Sequence, residues 1–263
     1  MCEPGIRPIY LSPHLDDAAL SCGGLIHQQA QQSMRPLVIT CFAGAPDYTA
    51  LSPFAAEQHH SWGQPSDPIG QRRREDASAM TCLGAEYEHW SYPDCIYRHH
   101  ATSGELLYAS EAAIFGELHH QDQGLIDELV ARLRVSFPSA GVRLYSPLTV
   151  GHHVDHQLVF QASVQLHQHG YSVQYYEDYP YAQSSTNLSV ALSSWAVSPV
   201  SRVQMLDGKD LQAKISAIRL YASQLGVLFG DEASMVAKVT SYALTVGGGQ
   251  GYGERYWQEG HEA

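Results

Sequence analysis

Histidine and aspartate side chains capable of metal chemistry concentrate in two short segments of this 263-residue chain. The first segment places His14 just before the adjacent Asp16 and Asp17, directly after an apolar run. Two neighbouring carboxylates repel each other, and a divalent cation offsets that repulsion. One carboxylate can then ligate the metal while the other stays free to take a proton from water, which a bound metal makes acidic near neutral pH.

The second segment, "GHHVDH", contains His152, His153, Asp155 and His156. A catalytic zinc site needs three nitrogen or oxygen ligands from the protein and an open position for water. Each segment alone fits a simpler interpretation equally well, in which an aspartate caps a helix and the histidines are ordinary loop residues. Because both segments lie between a strand pattern and a helix pattern, the two together favour a metal site. His152 is expected to face solvent.

Alternating strand and helix patterns must position these two segments. Strands are predicted at residues 6–12, 36–44, 86–92, 142–147, 171–180 and 202–207. Helices are predicted at residues 25–33, 70–84, 124–135, 209–225 and 231–244, and from the second segment to about residue 169. The alternation predicts an α/β, Rossmann-like fold with a mostly parallel sheet and helices on both faces. Both segments fall at the C-terminal ends of strands, where such folds place their active sites.

The remaining stretches are predicted to be connections within one domain that spans residues 1–263. Residues 44–69 are rich in Pro, Ser, Gly and His, a composition typical of a loop that shapes a pocket. Residues 93–123 are predicted to be irregular with some helical turns, and residues 181–200 are predicted to be a Ser-rich loop.

Composition and charge exclude several classes of partner. Hydrophobic residues make up 44% of the chain, enough for a sizeable core, and the formal net charge is −12. Nucleic acids and anionic membranes bind clusters of Lys and Arg side chains. Because this chain is strongly negative, neither is an expected partner. The five cysteines show no CxxC pairing and predict neither a disulfide framework nor a zinc knuckle. With no signal-peptide or membrane-span pattern, the expected location is the cytoplasm.

The two segments also resemble the signatures of a known enzyme family. "SPHLDDAALSCGG" is similar to the AHPDDE motif of the PIG-L/LmbE-like zinc N-deacetylases, and "HVDH" is similar to their second motif, HPDH. Further likenesses are Arg72 in "RRREDASAMTCLG", Asp94, and the segment "YYEDYP". The resemblance covers about residues 10–225.

The resemblance implies a role for each matching residue. The implied zinc ligands are His14, Asp17 and His156. Asp16 becomes the general base, and a protonated His153 stabilises the oxyanion or protonates the leaving amine. Asp155 is expected to hydrogen-bond His153 and hold its orientation. Arg72 and Asp94 match positions that contact substrate, although an ordinary helix-start charge and a turn aspartate explain them nearly as well.

Three positions depart from the family pattern. Leu15 replaces the proline of the first motif, Ala18 replaces its glutamate, and Gly151 stands where some relatives have a tyrosine. An extra oxyanion donor must therefore come from elsewhere in the chain.

The activity that the resemblance implies is the removal of an N-acetyl group from a small-molecule amino sugar of the N-acetylglucosamine type. Zinc is the expected cofactor, and Fe²⁺ is compatible with the same ligands. Two alternatives stay open: a zinc amidase that cleaves a larger amide conjugate, and a sugar-binding protein without turnover.

Overall fold

Seven strands form one sheet in the computed structural model, which describes residues 5–63, 66–193, 195 and 198–260. In chain order the strands are β1 (Arg7–Ser12), β2 (Leu37–Thr40), β3 (Glu86–His89), β4 (Val142–Pro147), β5 (Ser172–Tyr176), β6 (Pro199–Leu206) and β7 (Tyr252–Glu259). Their order across the sheet is β3-β2-β1-β4-β5-β7-β6. Strands β1 to β5 are parallel, and β7 runs antiparallel between β5 and β6. The order of the five parallel strands is that of doubly wound α/β sheets.

Helices cover both faces of this sheet. They are α1 (Asp17–Gln31), α2 (Pro53–Ser61), α3 (Pro68–Leu83), α4 (Glu111–Ile114), α5 (Gln123–Ser136), α6 (Val154–Gln168), α7 (Ser185–Ser193), α8 (Gly208–Arg219), α9 (Ala222–Phe229) and α10 (Glu232–Val246). Short 3₁₀ turns lie at Cys95–Tyr97, His120–Asp122 and Tyr181–Gln183.

Alternate residues of each central strand pack against different helices, since successive side chains of a strand point to opposite faces. In β1, Ile9 and Leu11 belong to the core shared with α5 and α6. Tyr10 belongs to the core on the other face, which α1, α3 and α8 cover. The predicted α/β architecture, with a mostly parallel sheet and helices on both faces, is confirmed.

Several elements differ from their predicted positions. The C-terminal strand β7 is absent from the predicted elements, and helices α2 and α7 lie in stretches where loops are expected. Helix α1 begins at Asp17 rather than after Gly24, so Gly24 is a buried residue within the helix. A Cβ atom at Gly24 would lie 2.3 Å from the side chain of Leu206, so glycine here permits close packing. The helix therefore follows the first histidine–aspartate segment directly.

The cysteines form no disulfide among the described residues. Cys22, Cys41, Cys82 and Cys95 are free thiols, and Cys2 lies outside the described residues. Within the described ranges, no helix combines the length and the apolar character needed to cross a bilayer.

The parallel strands all end at the same edge of the sheet. Strand β1 ends at Ser12, just before His14, and β4 ends at Pro147, just before the second histidine–aspartate segment. Strand β5 ends two residues before Asp178. The sheet therefore brings segments that are distant in sequence to one place.

Candidate active site

The two predicted segments meet at the carboxylate of Asp17. Its Oδ2 atom lies 3.4 Å from Nδ1 of His14 and 3.3 Å from Nε2 of His156. Donor atoms around a tetrahedral zinc ion with bonds of about 2.0–2.2 Å stand roughly 3.3–3.6 Å apart. One ring nitrogen from each of His14, His153 and His156 also lies within 4.8 Å of the other two. These nitrogen and oxygen donors therefore fit a divalent metal.

Each of the two candidate histidine ligands contacts a carboxylate through its other ring nitrogen. Nε2 of His14 lies 2.9 Å from Oδ2 of Asp155, and Nδ1 of His156 lies 2.6 Å from Oδ1 of Asp178. A carboxylate in this position holds the ring in the tautomer that leaves the opposite nitrogen free for a metal. Both rings are thus oriented toward Asp17.

The sequence pattern assigns no role to Asp178, which lies in the segment "YYEDYP". Its carboxylate is buried, and besides contacting His156 it accepts the backbone N–H of Val150 at 2.9 Å. Its place just after a buried strand of a parallel sheet is the signal that would have identified it.

The Asp155 carboxylate contacts His14, not the expected His153. It is fully buried, and it also accepts the backbone N–H of Cys95 at 3.1 Å and a guanidinium N–H of Arg98 at 2.5 Å. Asp155 contacts His14 because it lies in the first turn of α6, where its side chain points toward the segment that follows β1. The backbone N–H of Asp155, rather than its side chain, contacts Nδ1 of His153 at 3.2 Å.

This backbone contact decides which nitrogen of His153 can donate a proton. Because Nδ1 accepts the Asp155 N–H, a neutral His153 ring carries its proton on Nε2. His153 lines the pocket. Burial first, and then the positive charge of His14, lower the pKa of His153 well below its ordinary value. In its neutral form the ring can therefore donate a hydrogen bond from Nε2, and the protonated state that the resemblance implies stays a prediction.

Asp16 differs from its neighbour in both backbone and surroundings. Its φ of 152° lies in a region that side chains rarely adopt, and such strain accumulates at functional sites. Its Oδ2 atom lies 3.5 Å from a guanidinium nitrogen of Arg72. Burial raises the pKa of Asp16 to about 7, and the charge of Arg72 opposes this rise. Asp16 is thus a pocket carboxylate that can exchange a proton near neutrality.

The charges around Asp17 favour a cation. Burial by itself lowers the pKa of both His14 and His156, but their contacts with carboxylates outweigh it. The pKa of His156 rises to about 9, and that of His14 lies well above its ordinary value. Protons and metal ions compete for the same ring nitrogens, so the anionic surroundings that retain a proton here also suit a divalent cation.

The pocket at this site has a volume of about 260 Å³. Arg72 and Asp94 both line it, and the guanidinium of Arg72 stacks over the ring of Trp62 at 4.7 Å. The outer walls come from four parts of the chain: Gln58 and Trp62; Ile96, Ile114 and Phe115; Tyr179, Pro180 and Tyr181; and Gln224, Val227 and Leu228. The stretch 44–69 does shape the pocket, as predicted, and residues 93–123 contribute to it as well.

Gly151 allows an aromatic side chain to approach the second segment. A Cβ atom at Gly151 would lie 2.9 Å from the ring of Tyr181, and the φ of Gly151 is +96°. Tyr181 lines the pocket, so a tyrosine from the stretch after β5 occupies the space beside the position where some relatives carry one. The neighbouring His152 is exposed, as expected, and contacts the carbonyl of Gly116.

The chain is similar to several proteins that are named as deacetylases. The chain is 28% identical over 237 residues to 2'-N-acetylparomamine deacetylase from Niallia circulans, which covers 86% of this chain and 83% of the relative. The zinc-inhibited form of teicoplanin deacetylase Orf2 superposes with a TM-score of 0.84 at 27% identity, covering 98% of this chain and 100% of that one. A40926 pseudoaglycone deacetylase Dbv21 superposes with a TM-score of 0.75 at 25% identity, with coverage of 98% and 100%.

These relatives confirm that the protein is a deacetylase, and the zinc-inhibited relative and the grouped donors together point to a divalent metal. The family model described as PIG-L, GlcNAc-PI de-N-acetylase, matches residues 9–167, more than half of the chain. The membership predicted from the two motifs is thereby confirmed, and the chain belongs to the PIG-L family.

Proposed function

We propose that the protein hydrolyses the acetamido group of an amino sugar to acetate and a free amine, with a divalent metal, zinc in the first instance, held by His14, Asp17 and His156. The observation that carries this proposal is the convergence of these three donors beside the separate carboxylate of Asp16. The site lies at the C-terminal edge of the parallel strands. The single continuous sheet supports one catalytic domain over the whole chain.

The metal, when bound, supplies Lewis acidity that polarises the amide carbonyl and makes water acidic. Asp16 removes a proton from the attacking water, whose oxygen adds to the carbonyl carbon. The Nε2–H of His153 donates a hydrogen bond to the oxyanion that develops on the carbonyl oxygen. Asp16 then returns its proton to the sugar nitrogen as the carbon–nitrogen bond breaks, and acetate and the amine leave.

Arg72 and Asp94 hold the sugar in this scheme. The Nε atom of Arg72 is buried and has no hydrogen-bond partner among the described residues, so it is free to donate to a substrate oxygen. The same guanidinium holds Asp16 at 3.5 Å, which couples substrate binding to the position of the base. Asp94 lines the pocket and can accept hydrogen bonds from sugar hydroxyl groups.

The relatives named above act, by their names, on 2'-N-acetylparomamine, on teicoplanin and on the A40926 pseudoaglycone. We propose a substrate of the same general class for this protein: an N-acetylated hexosamine attached to a larger group that extends from the pocket. Among the pocket side chains, Ile114, Phe115 and Val227 offer apolar contacts to such a group.

Acetate release tests the proposal directly. The purified protein, supplied with Zn²⁺, is assayed on N-acetylglucosamine, an alkyl glycoside of it and 2'-N-acetylparomamine, with N-hexanoyl analogues in parallel. We expect acetate from at least one acetylated substrate, and release by the Asp16→Asn variant that is slower by roughly 10²–10⁴-fold. Hydrolysis of the hexanoyl analogues alone would support the larger-conjugate amidase instead. Substrate binding without any release would support a sugar-binding protein.

A further inference from the structure

Arg98 lies deep behind the candidate metal site, although its segment is expected from the sequence to be an irregular connection. The residue is only 5% exposed. Its guanidinium lies 5.2 Å from the centre of the Phe42 ring and 5.4 Å from that of the Tyr108 ring. Because a guanidinium is planar and rigid, contacts with two aromatic rings restrict the directions in which its N–H groups point.

The guanidinium forms ion pairs with two buried carboxylates, Asp155 and Asp122. Its hydrogen bond to a carboxylate goes to Asp155, because Nε of Arg98 has no hydrogen-bond partner among the described residues. One terminal nitrogen of Arg98 lies 2.5 Å from Oδ1 of Asp155, and Nε lies 2.9 Å from Oδ2 of Asp122. Asp155 has no exposed surface and Asp122 is 3% exposed. A carboxylate this deeply buried is stable only when charged or polar partners compensate for its lost hydration, so Arg98 is the compensating charge for Asp155.

The second oxygen of Asp155 faces the candidate metal site. Oδ2 lies 2.9 Å from Nε2 of His14 and accepts the backbone N–H of Cys95 at 3.1 Å. With Oδ1 held by Arg98, the plane of the carboxylate is fixed, and Oδ2 is aimed at His14. The opposite nitrogen of His14 then faces Asp17 at 3.4 Å. A continuous series of contacts thus runs from Arg98 through Asp155 to a metal-ligating ring.

We propose that Arg98 is a positioning residue for the metal site: it fixes the Asp155 carboxylate, which in turn orients His14. This inference rests on the proposed function, since it requires His14 to bind the metal. Without Arg98, Oδ1 of Asp155 loses its charged partner, and the backbone N–H of Cys95 is left to hold the carboxylate toward His14. Replacement of groups that orient metal ligands weakens metal binding by about 10–100-fold. We expect the lower end of that range for Arg98, because it acts through Asp155.

The test is a double-mutant cycle on zinc affinity, measured by competition with a chromophoric chelator on the full chain. The variants are Arg98→Met, Asp155→Asn and the double variant. Arg132→Met is the control for loss of a stacked arginine, because Arg132 also stacks on an aromatic ring, 4.0 Å from the centre of Trp90, but is exposed and does not line the pocket. Thermal unfolding of each variant in the same buffer reports its fold stability separately.

We expect Arg98→Met to weaken zinc binding about 10-fold and Asp155→Asn about 10–100-fold. If Arg98 acts only through Asp155, adding Arg98→Met to the Asp155→Asn variant changes affinity by less than about twofold. Arg132→Met should bind zinc as the wild type does.

Two results would overturn the inference: wild-type zinc affinity in a folded Arg98→Met variant, or losses that multiply in the double variant. If Arg98→Met does not fold, Arg98→Lys replaces it in the cycle, because lysine keeps the charge but not the rigid fork. A wild-type protein that binds no zinc would defeat the proposed function as well. Wild-type binding with unaffected Arg98 variants would defeat only the positioning role.

Discussion

The ring of His156 is held between two carboxylates, with Nδ1 2.6 Å from Asp178 and Nε2 3.3 Å from Asp17. The first contact selects the tautomer, and the second points the remaining nitrogen at the candidate metal position. Asp178 follows β5, whereas His156 and Asp17 belong to helices after β4 and β1. One histidine therefore links the ends of three parallel strands.

Replacing Asp178 by alanine should weaken zinc binding about 10–100-fold, because the His156 ring loses the partner that orients it. Asp178→Asn should be milder, since an amide oxygen can still accept the Nδ1 proton. Zinc competition measurements on both variants check this. Asp127→Asn, on the exposed side of α5, is the control. Equal zinc affinity for Asp178→Ala and the wild type would show that His156 needs no such partner.

Asp16 and Asp17 should respond differently to the same substitution. Asp17→Asn replaces a charged ligand by a neutral amide, so metal content should fall and added zinc should restore part of the activity. Asp16→Asn should keep its metal yet lose roughly 10²–10⁴-fold in turnover, the usual contribution of a general base. Metal content and acetate release are measured on both variants. A metal-free Asp16 variant beside a zinc-loaded Asp17 variant would mean that the two roles are reversed.

Metal removal should lower thermal stability as well as activity. A ligand that binds only the folded state, at 100 times its dissociation constant, stabilises that state by about 2.7 kcal/mol. Chelation of the wild type should therefore lower its melting temperature by several degrees, and excess zinc should restore it. In Asp17→Asn, the same chelator should cause a smaller shift. A melting temperature that is indifferent to chelation in an active wild type would argue against a metal held by these three donors.

Gly151→Ala should destabilise the protein more than a glycine substitution elsewhere with a similar backbone angle. At Gly151 the new methyl group meets both a φ of +96° and the Tyr181 ring at 2.9 Å. Gly141 supplies the matched control, because its φ is +90° and a Cβ atom added there would meet no described atom within 4 Å. The strained angle alone costs about 1–3 kcal/mol.

Chemical denaturation of both glycine variants, together with their steady-state kinetics, separates the two effects. We expect a larger loss of stability and a raised KM for Gly151→Ala only, since displacing Tyr181 reshapes the pocket wall. Identical behaviour of the two variants would mean that the Tyr181 contact is unimportant.

The amino-acid sequence by itself determined the parallel core of the fold and the two segments that carry the chemistry. Apolar runs such as "PLVIT" and "VRLYSP" predict buried strands, because their apolar character and their length are those of a strand in the interior of a sheet. The resemblance of the two segments to the family motifs implied His14, Asp17 and His156 as one candidate set, and the structure brings them together. Local sequence patterns are enough to predict a feature when that feature depends mainly on residues that are neighbours in the chain.

Only the tertiary structure decided the features that depend on distant partners. Strand β7 contains the buried Glu254, whose carboxylate lies 2.7 Å from the ammonium group of the equally buried Lys214, a partner that is distant in sequence. In the same way, Asp178 and Arg98 acquire their roles from contacts with His156 and Asp155. Burying a charge is unfavourable until a specific partner compensates for it, and folding alone determines which partner is present.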